Sequence, residues 1–285
     1  MVFFPCRDNF LCCGLTGIVS FKQRKKTRRT IDIQSLKDML IKIQALCYEN
    51  CRKNNLNLED HYLGGQTQIH AFLQNVRDLK CNDLFYTLYI HRDHQEELAT
   101  FADGLLQFIN EEERLLDKDM GNLEADDVDI VSRRIDGVKD AVWCLSSEIS
   151  SNIIKIKDLL RDGHETPTGY EVNIFKQINA VLNSIDRLEV RGRDSAGISM
   201  MFVLEGSEFD RFQEKIKKGN LYDQLTERST REVLVNQGIK INASENEAGQ
   251  KRVALALTYK VAAEVGRLGD NVQLLRRHIK NDGIL

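Results

Sequence analysis

The stretch "LEVRGRDSAGISMMFVLEG", Leu188 to Gly206, separates an all-helical chain from a mixed one. Its first half is charged and broken by glycine. Its second half, Ile198–Gly206, is an apolar run of strand length. Upstream, "IFKQINAVLNSIDRL" reads as a helix that runs into the glycine-rich turn. Downstream the chain is charged to about Lys251. "RVALALTYKVA" (Arg252–Ala262) then alternates as a strand does, and in "GDNVQLLRRHIKND" (Gly269–Asp282) Val272, Leu275 and Ile279 share one helical face. Helices and strands in this order predict an α+β fold for residues 171–285.

The preceding region, 31–165, keeps the helical period instead. Leu36, Met39, Leu40, Ile43 and Cys47 fall on one face, as do Ile69, Phe72, Leu73, Val76 and Leu79. Leu98, Phe101, Leu105 and Phe108 repeat the habit. Val128, Val131, Ile135, Val138, Val142, Leu145 and Ile149 alternate three-four, the period of a supercoiled seam. Asn152 breaks the series, and Ile156 and Leu159 resume it. These segments, joined by short polar turns, predict a helical bundle. Gly, Pro and Thr in Arg161–Tyr170 end it, with 166–170 as the linker.

Composition narrows the function. A net charge of −3 gives no field for nucleic acid or membrane, and no run reaches the roughly 20 apolar residues of a membrane span. Seven cysteines without framework spacing fit a reducing, cytoplasmic setting. The basic run Lys22–Arg29 reads as a solvated connector. His91 and His94, three apart, have no evident third metal ligand, and Cys47 and Cys51 have no second pair; core packing explains the cysteines better than zinc. Trp143, one step from the seam, is expected in the core.

Two stretches remain. "CGLTGIVSF" starts at Cys13, with an apolar strand expected over Leu15–Phe21, and "RGRDSAGIS" starts at Arg191. In this order they resemble the glutamine-hydrolysing domain of class II amidotransferases, a family of N-terminal nucleophile hydrolases. Its members open with Cys-Gly-Ile-(Val/Ala)-Gly on a first strand; this chain has Cys13-Gly14-Leu15-Thr16-Gly17. The glutamine–fructose-6-phosphate aminotransferase branch carries Leu-Glu-Tyr-Arg-Gly-Tyr-Asp-Ser-Ala-Gly-Ile. Leu188–Ile198 differs from that motif at two positions, Val190 and Arg193.

The resemblance implies α-β-β-α layers, incomplete here, over residues 13–30 and 171–285, with 31–165 as an inserted helical bundle. It implies Cys13 as nucleophile, with Cys12 as the rival. A nucleophile at residue one uses its own α-amine, which titrates at about 8, as base. Residues 1–12 would then be a leader. Arg191, Gly192, Asp194, Ser195 and Gly197 would support the site by ordering its turns. The substrates implied are L-glutamine and, through a further isomerase domain, fructose 6-phosphate, in a homo-oligomer without metal or organic cofactor. The family's later His-Thr-Arg-Trp-Ala stretch, Asn-Gly pair and substrate-holding acidic residue do not occur in these 285 residues. The expectation is therefore a fragment, inactive alone. The alternatives are a class II amidotransferase with another ammonia acceptor, or a helical interaction protein with a degenerate glutaminase shell.

Overall fold

The computed structural model describes residues 14–20, 32–160, 166–189, 195–232, 235–245, 249–262 and 269–285. It is mostly helical, with one three-stranded antiparallel sheet among the described residues. The chain divides into two compact units. One is built from Phe21–Lys157 and His164–Ile174, the other from Met1–Ser20, Asp158–Gly163 and Phe175–Leu285.

The first unit is helical. Its main elements are α1 (Ile33–Ala45), α2 (Tyr48–Lys53), α3 (Leu58–His61), α4 (Gly65–Asp78), α5 (Asn82–Ile90), α6 (Arg92–Asp119) and α7 (Ala125–Trp143). A π-helical segment, Cys144–Ser150, joins α7 to α8 (Ser151–Leu159). The faces expected from the 3.6 period are largely the buried ones: Leu36, Leu40 and Ile43 on α1, and Ile69, Phe72, Leu73 and Val76 on α4. On α6 Ile109, rather than Phe108, fills the core beside Leu105. The π segment adds residues to one turn and resets the seam, so Leu145, Ile149, Ile153 and Ile156 are buried in succession. Asn152 sits beside that row and donates to Glu148 O at 2.8 Å.

Trp143 is not in the core. It is 56% exposed, because Val138, Ala141, Cys144 and Leu145 occupy the buried side of the same turns. Cys47 ends no helical face: α1 stops at Ala45, and Cys47 is the N-cap of α2.

Two buried charges hold the short helices between α1 and α4. Glu112 of α6 accepts the Tyr48 N–H at 2.9 Å, capping α2 where Cys47 offers no side-chain cap. Arg134 of α7 donates to Leu58 O at 2.7 Å and to the Glu59 and Tyr62 carbonyls. An anion at one helix start and a cation at the other end both suit the helix dipole. Leu63, with φ +50, is left-handed at the following turn, and Gly64 and Gly65 also have positive φ. Leu63 N–H donates to Leu46 O at 2.8 Å, which ties that turn down.

The second unit takes in α9 (Gly169–Leu188) from Phe175 onward, which leads to β1 (Ala196–Glu205), followed by α10 (Gly206–Lys218), α11 (Tyr222–Thr230), β2 (Gly238–Glu245), β3 (Lys251–Val261) and α12 (Asp270–Lys280). Thr168 and Glu171 form reciprocal bonds at the start of α9, so the expected linker ends as a helix cap. β1 and β3 occupy the positions read from sequence, and β3 lies between β1 and β2, antiparallel to both. Ile198, Met200, Val253, Leu255, Leu257 and Tyr259 form the buried face, on which α10 and α12 pack. α12 buries Val272, Leu275 and Ile279, as its period requires. The charged stretch before Lys251 contains α10, α11 and the edge strand β2.

The strand expected over Leu15–Phe21 is not formed at 14–20, and Phe21 lies outside the described residues. Leu15 is 99% exposed and Val19 is also exposed. A short apolar run without a ladder partner or a buried face does not make a strand.

Candidate functional site

Cys13, Arg191, Gly192 and Asp194 lie outside the described residues, as do Cys12 and the run 22–29. Ser195 is exposed at the foot of β1. Gly197 lies opposite Lys260 in the β1–β3 ladder, where an added Cβ would come 3.2 Å from Tyr259 O. A close strand approach is what the sequence asks of this glycine.

The described ends of the two motifs meet. Gly14 lies against Leu188, and a Cβ there would stand 2.6 Å from its Cδ2 and 2.9 Å from its Cγ. A side chain at this position would have to displace the Leu188 tip. The residue after the candidate nucleophile therefore touches the first residue of the second motif.

Beyond Leu188 the helix ends on a buried carboxylate. Glu189 keeps a helical bond, N–H to Ile185 O at 2.9 Å, and accepts Gly269 N–H at 2.6 Å. Gly269 has φ +91 and is the N-cap of α12. Along the same pair of helices Arg276 donates to Asn179 at 2.8 Å and to Asn183 at 3.1 Å. Burial lowers the Arg276 pKa, against the nearby Asp158 and Asp186 carboxylates.

A second buried centre escaped the sequence reading. Arg228 of α11 pairs bidentately with Asp282, both bonds 2.7 Å, and donates to Gln237 O at 2.7 Å. Tyr259 of β3 donates to the same carboxylate, which also accepts Ile284 N–H at 2.9 Å. Burial alone would raise the Asp282 pKa; the Arg228 and Tyr259 bonds outweigh it and hold the group below the usual carboxylate range. No spacing signals a trio drawn from a helix, a strand and the segment after α12. The network is fully bonded, which marks it as a structural clasp.

The His91 and His94 rings meet edge to face at 5.3 Å. Among the described residues no group of three or more His, Cys, Asp or Glu could hold a metal ion. Cys51 is buried and donates weakly to Leu46 O; burial raises its pKa, as it raises that of Cys144 to about 11. Neither has the lowered pKa of a reactive thiol. Among the described residues no helix is long and apolar enough to cross a membrane. Comparison of the chain with protein-family models, with curated proteins and with solved structures gives no match.

Proposed function

We propose that this chain carries part of the glutamine-hydrolysing centre of a class II amidotransferase of the glutamine–fructose-6-phosphate aminotransferase kind, a part that is inactive alone because the family's glutamine-holding and oxyanion stretches do not occur in these 285 residues. The observation that carries the reading is the contact of Gly14 with Leu188, which joins the two motifs on which the resemblance rests. The sheet lends support. Its second face presents exposed Met201 and Val203 beside the small Ala254 and Ala256, the surface a second β layer would cover. The proposed architecture is thus an α-β-β-α glutaminase with 31–165 as a helical insertion.

In this reading Cys13 attacks the side-chain amide of L-glutamine. The α-amine of Cys13, once amino-terminal, takes the thiol proton and returns it to the departing ammonia. A thioester remains, and water cleaves it to glutamate. Arg191, Gly192, Asp194, Ser195 and Gly197 shape the surrounding turns. Ammonia passes to fructose 6-phosphate on an isomerase domain to give glucosamine 6-phosphate, in a cytoplasmic homo-oligomer. No metal or organic cofactor takes part.

The test is covalent labelling. A chain prepared with Cys13 first is treated with a diazoketone analogue of glutamine and mapped by mass. The reading expects one adduct, at Cys13, lost in Cys13→Ala, and no glutamine turnover by this chain alone. Labelling that spares Cys13, or that favours the exposed Cys81 equally, contradicts it.

A further inference from the structure

β1 is an undefended sheet edge. Its residues, Ala196–Glu205, keep an unbroken register against β3 and carry no proline, no bulge and no charge before Glu205. Native edges are usually short, charged, bulged or covered, because a bare one offers its N–H and C=O groups to any strand. The opposite edge obeys this. β2 carries Lys240 and Glu245, α11 packs against it, and Lys240 donates to Ser229 O on α11 at 3.3 Å. Among the described residues β3 is the only strand bonded to β1. Phe202 and Leu204 share the packed face with Leu255 and Val253, their β3 partners, yet they stay half-buried while those two are fully buried. The core is open along this edge.

Charge names the occupant. A second β1, antiparallel about a two-fold axis through Met201, keeps each face of the sheet continuous. It sets Met201 against the partner's Met201, Val203 against the partner's Ser199, and Glu205 against the partner's Gly197. Gly197 has no side chain, and its β3 neighbour on the same face is Lys260. The Lys260 stem leans over Gly197, its Cγ 3.8 Å from where a Gly197 side chain would begin. Two strand spacings, about 10 Å, separate Lys260 from the incoming Glu205, and a lysine lying across a glycine can meet a glutamate over that span. Lys260 and Glu205 are both exposed, and Lys260 has no ion pair among the described residues. Other registers lose this match. Centring on Phe202 faces Glu205 with Ser199, backed by Thr258, and centring on Met200 carries Glu205 past the first residue of the strand.

We propose that β1 pairs with β1 of a second copy of this chain, antiparallel and centred on Met201, to form one continuous sheet. The proposal rests on the sheet alone and stands whether or not Cys13 is a nucleophile.

Sedimentation velocity on the whole chain reads the mass, and a dimer is expected. Met201 is 70% exposed, so a charged side chain there suits the fold; an unchanged thermal midpoint at a dilution where the wild type is monomeric verifies this. Met201→Lys and Met201→Glu each set like charges face to face and should weaken the dimer at least about three-fold. Mixed in equal amounts, the two variants should pair again. Under a mild added oxidant Met201→Cys should link two copies through residue 201, mapped by mass. Val203→Cys should not, since its two copies stand about 14 Å apart along the ladder. A monomeric wild type overturns the proposal, and in that case exchange-protected amides along β1 would give the edge to a segment of the same chain. A dimer indifferent to both charged variants, or Val203→Cys linking as readily as Met201→Cys, overturns it as well.

Discussion

Removing the Asp282 carboxylate leaves the Arg228 guanidinium buried and unpaired. Asp282→Ala should therefore cost about 3–5 kcal/mol in the sheet unit, measured by urea unfolding. Tyr259→Phe removes one bond to a charged group and should cost about 1.5–3 kcal/mol. The pH dependence has a definite sign. Asp282 titrates lower folded than unfolded. Its contribution is present above the ordinary carboxylate value of about 4 and is lost as pH falls through the folded value. Glu112 behaves oppositely, since burial raises its pKa despite the Tyr48 N–H bond. Stability linked to Glu112 is fully present below about 4.3 and declines as pH rises through the folded value. Glu112→Gln should flatten that decline in the helical unit, read as thermal midpoint from pH 4 to 8. A decline equal to wild type would remove Glu112 from the account. The charges facing Glu112 are Glu49 on α2 and Glu111 on α6, with Tyr62 and Cys51 coupled to it.

Two glycines test packing at the level of whole helices. Gly104 on α6 faces open space, whereas a Cβ on Gly137 of α7 would come 2.8 Å from Ile69 Cγ2 on α4. Glycine within a helix costs about 1 kcal/mol relative to alanine. Gly104→Ala should thus stabilise the helical unit by up to about that amount. Gly137→Ala meets overpacking of about 1–3 kcal/mol, which cancels or exceeds the gain. Thermal unfolding of both variants separates the cases; equal stabilisation would mean α4 and α7 pack loosely. Helical elements were legible because amphipathic faces such as Ile69–Phe72–Leu73–Val76 repeat. β3 was legible because Val253, Leu255 and Leu257 alternate in one buried row. β2 was not: as an edge strand it buries only Gly238 and Ile239 of its eight residues, so its sequence stays polar. The strand expected over Leu15–Phe21 misled for the opposite reason: its described part, 14–20, is apolar in places but has no partner strand.

At the scale of the molecule, two units with separate buried cores should give separable unfolding transitions. Asp282→Ala should move one and Gly104→Ala the other, and a single transition shifted by both would contradict that division. The candidate site was legible as two motifs but not as a place. Nothing in the spacing of Gly14 and Leu188 foretells their contact, nor that Glu189 would be buried against Gly269. Long-range pairing of this kind is fixed by the tertiary fold. The central claim is that the two motifs form one centre, and relief of a designed clash tests it most directly. The measurement is the rate of Cys13 labelling by the diazoketone in wild type, Gly14→Val, Leu188→Ala and the double variant. The account expects Gly14→Val to slow labelling at least about ten-fold, the loss of about 1.4 kcal/mol, and Leu188→Ala to restore much of it in the double variant. Wild-type labelling in Gly14→Val, or no rescue by Leu188→Ala, would contradict it.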